Sequence, residues 1–117
     1  MATRKERRRY QRLSWPVTIQ IHPAGDLMAM WQDVSIVDVG AGGCRLMASE
    51  RLEKGDRLEL RMHLPTWQAA SEVPVRVIWV RTVNRERYDV GVEFIDVTLE
   101  QQVRIDEWVR FLAQHAA

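Results

Sequence analysis

A chain of 117 residues accommodates one domain. Its single cysteine, Cys44, excludes an internal disulfide and fits a reducing, cytoplasmic setting. The net charge of +1 conceals an asymmetry: residues 1–12 carry +5 and the remainder −4, so the body offers no basic face to DNA or RNA.

The basic segment comes first. Arg4, Lys5, Arg7, Arg8, Arg9 and Arg12 are opposed only by Glu6. A guanidinium is a planar fork that binds a phosphate or a guanine edge through two parallel hydrogen bonds and stacks on flat rings. The segment is therefore read as a flexible arm, residues 1–12, able to close over an anionic, guanine-bearing ligand. A solvated basic tail is the plainer alternative. No apolar run follows these charges as in a signal peptide. No stretch approaches the ~20 apolar residues of a membrane-spanning helix, so membrane insertion is not expected.

Residues 13–117 read as one domain. Trp15 to Ile21 alternates with a period of two and predicts a strand, with Pro16 at its start or on an edge. His22 to Asp26 carries turn residues. Met28 to Val39 predicts a second strand, ending at Gly40-Ala41-Gly42-Gly43, where a positive φ or a close approach by another group is expected. Cys44 to Met47 is a short strand. Arg57 to Leu64 alternates with Leu58, Leu60, Met62 and Leu64 facing inward. Pro65 to Ser71 is a loop. Val73 to Val80 predicts a strand with Val73, Val75, Val77 and Trp79 on one face, and Tyr88 to Ile95 completes a hairpin.

The period then changes. Thr98-Leu99-Glu100-Gln101 has the spacing of a capping box, and Ile105, Trp108, Val109 and Leu112 follow at helical spacing, predicting a helix over 98–113. About six strands and one terminal helix predict a small antiparallel β-barrel. The helix has enough apolar surface, including Trp108 and Phe111, either to cover the barrel or to pair with another copy.

Catalysis is not expected. His22, His63 and His115 are scattered, with no carboxylate or cysteine at metal-ligand spacing, so neither a metal nor a cofactor is called for. Cys44 reads as a buried or spectator thiol. The glycine run lacks the Lys-Ser/Thr of a phosphate loop. A binding constellation remains. Asp38 at the strand end can accept from N1–H and N2–H₂ of guanine while an arginine donates to O6 and N7. An aspartate that opens a turn by bonding its own backbone is the competing reading.

Arg8-x-x-x-Arg12 followed by Asp38-Val39-Gly40-Ala41-Gly42-Gly43 resembles the paired signatures of the PilZ domain family, Arg-x-x-x-Arg and Asp/Asn-x-Ser-x-x-Gly. Val77 to Val80 and Gly91 to Phe94 resemble that family's closing hairpin. The resemblance covers Glu6 to Ile95 and implies a six-stranded barrel that receives the bacterial second messenger cyclic di-GMP. By position it makes Arg8 and Arg12 the clamp on guanine and phosphate, Arg7 and Arg9 added contacts, Asp38 the holder of a guanine edge, and Gly43 the point of backbone approach. Trp79 matches a position where some members place an aromatic near the ligand, although a core aromatic reads equally well. Gly40 replaces the family's serine. The missing hydroxyl is expected to cost about one order of magnitude in affinity.

A +5 arm with no apolar anchor before Leu13, on a −4 body, leads to the expectation that ligand orders the arm over the barrel and changes a surface for a downstream protein. Two other classes remain open. One is an adaptor that binds protein through the barrel or the Trp108 helix and ignores nucleotide. The other is a barrel that applies its arm to nucleic acid.

Overall fold

The structure, a computed structural model, describes residues 11–114. The two-residue periodicities become six strands: β1 (Gln11–Pro23), β2 (Gln32–Val39), β3 (Gly43–Ala48), β4 (Arg57–Met62), β5 (Ser71–Asn84) and β6 (Arg87–Phe94). All neighbouring pairs are antiparallel, and the order β1-β2-β3-β6-β5-β4 closes into a barrel. Two long strands allow closure with few residues. β1 pairs with β2 from Gln11 to Ile21, and its last four residues, from Gln20 to Pro23, pair with β4 on the other side. The first half of β5 pairs with β4 and its second half with β6. Closure removes the free edges that would otherwise invite pairing with another chain.

Inward residues follow the alternation. Ile36, Leu46, Leu60, Val73 and Val75 have no measurable exposure. One helix, α1 (Leu99–Ala113), follows β6. Thr98 caps it, accepting from the Gln101 backbone at 3.1 Å while the Gln101 side chain accepts from the Thr98 backbone at 2.9 Å. Gln101 also donates to the Glu72 carbonyl at 3.1 Å, which ties the helix start to β5. Ile105, Trp108 and Leu112 project from one stripe of α1 into the barrel core. Trp108 is 1% exposed, so this stripe covers the barrel and is not left for another copy.

Three expectations shift. β1 begins at Gln11 and runs through Pro23, so Arg12 belongs to the barrel's first strand and the turn starts at Ala24. β2 begins at Gln32 rather than Met28. The Asp26 side chain accepts from the Met28 backbone at 3.1 Å and its carbonyl from Ala29 at 3.2 Å, which curls this segment away from the sheet. Leu27, Met28 and Met30 are left more than 80% exposed. β5 runs from Ser71 to Asn84 rather than from Val73 to Val80; the loop before it buries Trp67, with the Arg104 guanidinium of α1 lying 4.9 Å from its ring centre.

No helix is long and apolar enough to cross a membrane among the described residues.

Candidate functional site

Bulges decide which side chains face outward at one part of the barrel. In β2, Val34 and Ile36 point inward, so strict alternation would bury Asp38 as well. The β2–β3 register shifts between Ile36 and Asp38, leaving Val37 as the extra residue. After that shift Val39 is fully buried and Asp38 faces out. In β5, Val73, Val75 and Val77 point inward, and alternation would bury Trp79. A second shift between Val77 and Trp79 leaves Ile78 as the extra residue. Trp79 is turned outward and is 40% exposed, which overturns the expectation that it shares a face with Val77. Each bulge inserts one residue and re-aims the next side chain.

The two re-aimed residues meet in one lateral row. Arg12 of β1 pairs with Asp38 of β2. Asp38 pairs with Arg45 of β3, Arg45 with Gly91 of β6, and Gly91 with Trp79 of β5. Register partners in a sheet project from the same face. At ~4.8 Å between strands, the row extends ~19 Å around the barrel wall. The basic segment therefore enters the fold directly opposite the aspartate that ends β2.

Glycine makes the seat for Trp79. A Cβ on Gly91 would lie 2.1 Å from the indole Nε1 and 2.3 Å from Cε2, so the ring rests on bare backbone. Beside it opens a groove of about 220 Å³ lined by Asp38, Cys44, Arg45, Ile78, Trp79, Gly91 and Val92. An acceptor, a guanidinium and a flat ring thus border one cleft, a combination suited to a planar heterocycle with polar edges.

Arg45 Nε lies 2.9 Å from Asp38 Oδ2. The N–H is not aimed at that oxygen, so the contact is charge pairing without a directed hydrogen bond. The competing reading of Asp38, a side chain bonded to its own turn, does not hold: its carboxylate meets Arg45 across the strands. Sequence reasoning missed Arg45, whose outward position follows from its alternation with Cys44 and Leu46. Cys44 is buried beneath the groove, and burial pushes its thiol up to about 12, which leaves it protonated and unreactive at neutral pH.

The glycine bend is closed by Gly40 N–H donating to the Gly43 carbonyl at 2.9 Å, and Phe94 N–H donates to the Gly42 carbonyl at 3.0 Å. At Gly43 a close approach, not a positive φ, requires glycine. An added Cβ would sit 2.0 Å from the Val92 carbonyl oxygen, so the bare α-carbon accommodates β6. Positive φ occurs instead at the turn glycines Gly25 and Gly55. Arg7, Arg8 and Arg9 lie outside the described residues, as does His115. No cluster of His, Cys, Asp and Glu arranged for a metal ion occurs among the described residues.

No curated protein matches the chain. Solved structures share its fold. The PilZ domain of YcgR from Escherichia coli, solved with c-di-GMP, is 16% identical with a TM-score of 0.65, the match covering 92% of each chain. The PilZ domain of CeSA from a cellulose-synthesising bacterium is 17% identical with a TM-score of 0.65, covering 87% of this chain and 97% of that one. MrkH, described as a c-di-GMP-dependent transcription regulatory factor and known from K. pneumonia, is 20% identical with a TM-score of 0.66 over 92% of this chain. Against MrkH and the Bacillus subtilis motility inhibitor MotI/DgrA, the chain spans about half the length, 50% and 49%. The PilZ domain family model matches residues 6–111, a span that takes in the signatures, the closed barrel and most of α1. With the Arg12–Asp38 pairing in register and the glycine bend beside it, the chain belongs to the PilZ domain family.

Proposed function

We propose that this chain is a receptor for cyclic di-GMP and that it binds the dinucleotide on the outward row formed by Arg12, Asp38, Arg45, Gly91 and Trp79. The observation that carries this reading is the direct register of Arg12 with Asp38, which joins the two halves of the family signature across one strand pair. Asp38 accepts from N1–H and N2–H₂ of a guanine. Trp79 supplies a stacking surface, an interaction worth ~1–3 kcal/mol per base. Arg12 and the arm arginines Arg7, Arg8 and Arg9 bind the phosphates and the O6/N7 edge. Four extended residues reach at most ~14 Å, which lets Arg8 reach the Arg12–Asp38 end of the row. Gly40 contributes its backbone only, and Gly43 holds the bend against β6.

The arm is the moving part. Residues 1–10 carry +4 and the remainder −3, a balance that lets the arm rest on its own domain before binding. The dianionic ligand draws it across the row, at a cost of roughly 1–2 kcal/mol per residue ordered. The covered face then becomes, or ceases to be, the surface that a downstream protein recognises. Amide exchange of residues 4–10 should slow on ligand addition, and equal protection in both states would rule out the switch.

Titration calorimetry with cyclic di-GMP decides the reading. Saturable binding to the wild type, lost in Arg8→Ala and in Arg12→Ala, is the expected result. No heat with the wild type would leave a protein-binding adaptor. A steeply salt-dependent interaction with RNA or DNA and no preference for the cyclic dinucleotide would leave a nucleic-acid binder.

A further inference from the structure

The groove contains an arginine that neither family signature includes. Arg45 stands in the row between Asp38 and Gly91, on the strand after the glycine bend. Its side chain is 30% exposed and lines the groove with Trp79. Only Nε is near a described partner, and that N–H is misaligned with the Asp38 carboxylate. The other four N–H donors of the guanidinium have no hydrogen bond or ion pair among the described residues. A buried N–H left without an aligned acceptor is unusual and calls for a cause.

The side-by-side placement supplies one. A carboxylate beside a guanidinium presents two acceptor oxygens next to a set of donors. The Watson–Crick edge of guanine is the complement, with N1–H and N2–H₂ as donors and O6 as the adjoining acceptor. Adenine places an N6–H₂ donor where O6 would be, so donor would face donor. The strand spacing puts Asp38 and Arg45 ~5 Å apart at the backbone, and one base can touch both. Gly91 beyond Arg45 seats the Trp79 indole, which closes that side of the groove.

We infer that Arg45 is a specificity-determining residue of the groove: it donates to O6 of the guanine whose N1/N2 edge is held by Asp38, and it adds to the discrimination against adenine that Asp38 begins. This inference rests on the receptor reading above. The Asp38–Arg45 ion pair of the free protein keeps the two groups adjacent, and the incoming base inserts its edge against both. Arm arginines remain available for phosphate and for the second guanine.

The test is calorimetry with cyclic di-GMP, plus displacement of a fluorescent cyclic di-GMP by cyclic di-AMP, on wild type, Arg45→Ala and Arg45→Lys. Arg45→Ala should lose roughly 10- to 100-fold in cyclic di-GMP affinity while cyclic di-AMP changes less than about threefold, so base selectivity falls by about that factor and the remainder is left to Asp38. Arg45→Lys keeps the charge without the fork and should recover only part of the selectivity. Thermal melting guards against a folding artefact, and Arg45→Lys serves if Arg45→Ala melts early. Equal losses for both dinucleotides would reduce Arg45 to a structural partner of Asp38 and overturn the inference. Unchanged selectivity with intact cyclic di-GMP binding would overturn it too, and would leave the receptor reading standing. Failure of the wild type to bind cyclic di-GMP would remove both.

Discussion

Alanine at Gly43 and alanine at Gly91 add the same carbon to adjacent strands, yet the structure predicts different outcomes. At position 43 the new Cβ meets the Val92 carbonyl oxygen at 2.0 Å, the Glu93 α-carbon at 2.9 Å and the Val92 carbonyl carbon at 3.0 Å. All three are backbone atoms, so relief requires β3 and β6 to separate where Gly43 pairs with Glu93. Overpacking of this kind costs typically 1–3 kcal/mol, and a backbone clash belongs at or above the top of that range. Out of a total stability of roughly 5–15 kcal/mol, that is a large fraction. A drop in Tm of at least ~10 °C should follow, taking about 4 °C per kcal/mol for a domain of this size.

At position 91 the three atoms nearest the Cβ all belong to the Trp79 indole, at 2.1, 2.3 and 2.7 Å. That ring is already 40% exposed and can lift away. The loss is then part of one aromatic's burial, about 1–2 kcal/mol, and a Tm decrease of roughly 5 °C. The displaced indole should shift tryptophan emission to the red, and cyclic di-GMP affinity should fall about tenfold as the stacking surface moves. Urea titration, emission spectra and calorimetry on the two variants measure all of this. A Gly91→Ala protein with unchanged emission, or one less stable than Gly43→Ala, would refute the assignment of these two glycines to their neighbours.

Other consequences follow from single contacts. Thr98→Ala removes the reciprocal cap of α1 and should cost about 1 kcal/mol, near 4 °C in Tm, with ligand affinity unchanged. Gly40→Ser restores the family hydroxyl beside Asp38 and should tighten cyclic di-GMP binding three- to tenfold by calorimetry. Cys44 is raised to about 12 in the folded chain, against 9.0 for an ordinary thiol. Below pH 9 both states hold the proton, so no difference arises. Between pH 9 and 12 the unfolded chain releases it and the folded chain does not, so stability falls as pH rises, by about 1.4 kcal/mol per pH unit at most. Denaturant melts of wild type and Cys44→Ala at pH 8 and pH 10.5 should show the larger pH-dependent loss in the wild type.

Much of the architecture was legible in the sequence because its carriers are local. Leu58, Leu60 and Met62 announce an inward face by spacing alone, and Thr98 with Gln101 announces a helix start. The site was harder to read because bulges set its geometry. An extra residue such as Val37 or Ile78 has ordinary strand chemistry and does not interrupt the apolar pattern. Alternation counted through Ile78 therefore sent Trp79 into the core. Arg45 went unnoticed because it belongs to no motif, and its meaning comes from the strands on either side. The segment from Met28 to Trp31 reads as strand in the sequence, and Asp26, accepting from Met28 through its side chain and from Ala29 through its carbonyl, turns it into a loop.

The central claim is that one outward row across five strands grips the dinucleotide. Backbone and indole N–H chemical shifts, followed by two-dimensional NMR during titration with cyclic di-GMP, test it most directly. The largest changes should run through Arg12, Asp38, Arg45, Gly91 and the Trp79 indole, while β4 and the outer face of α1 stay still. Saturating changes confined to β4, α1 or the 24–31 loop, with that row unmoved, would contradict the account.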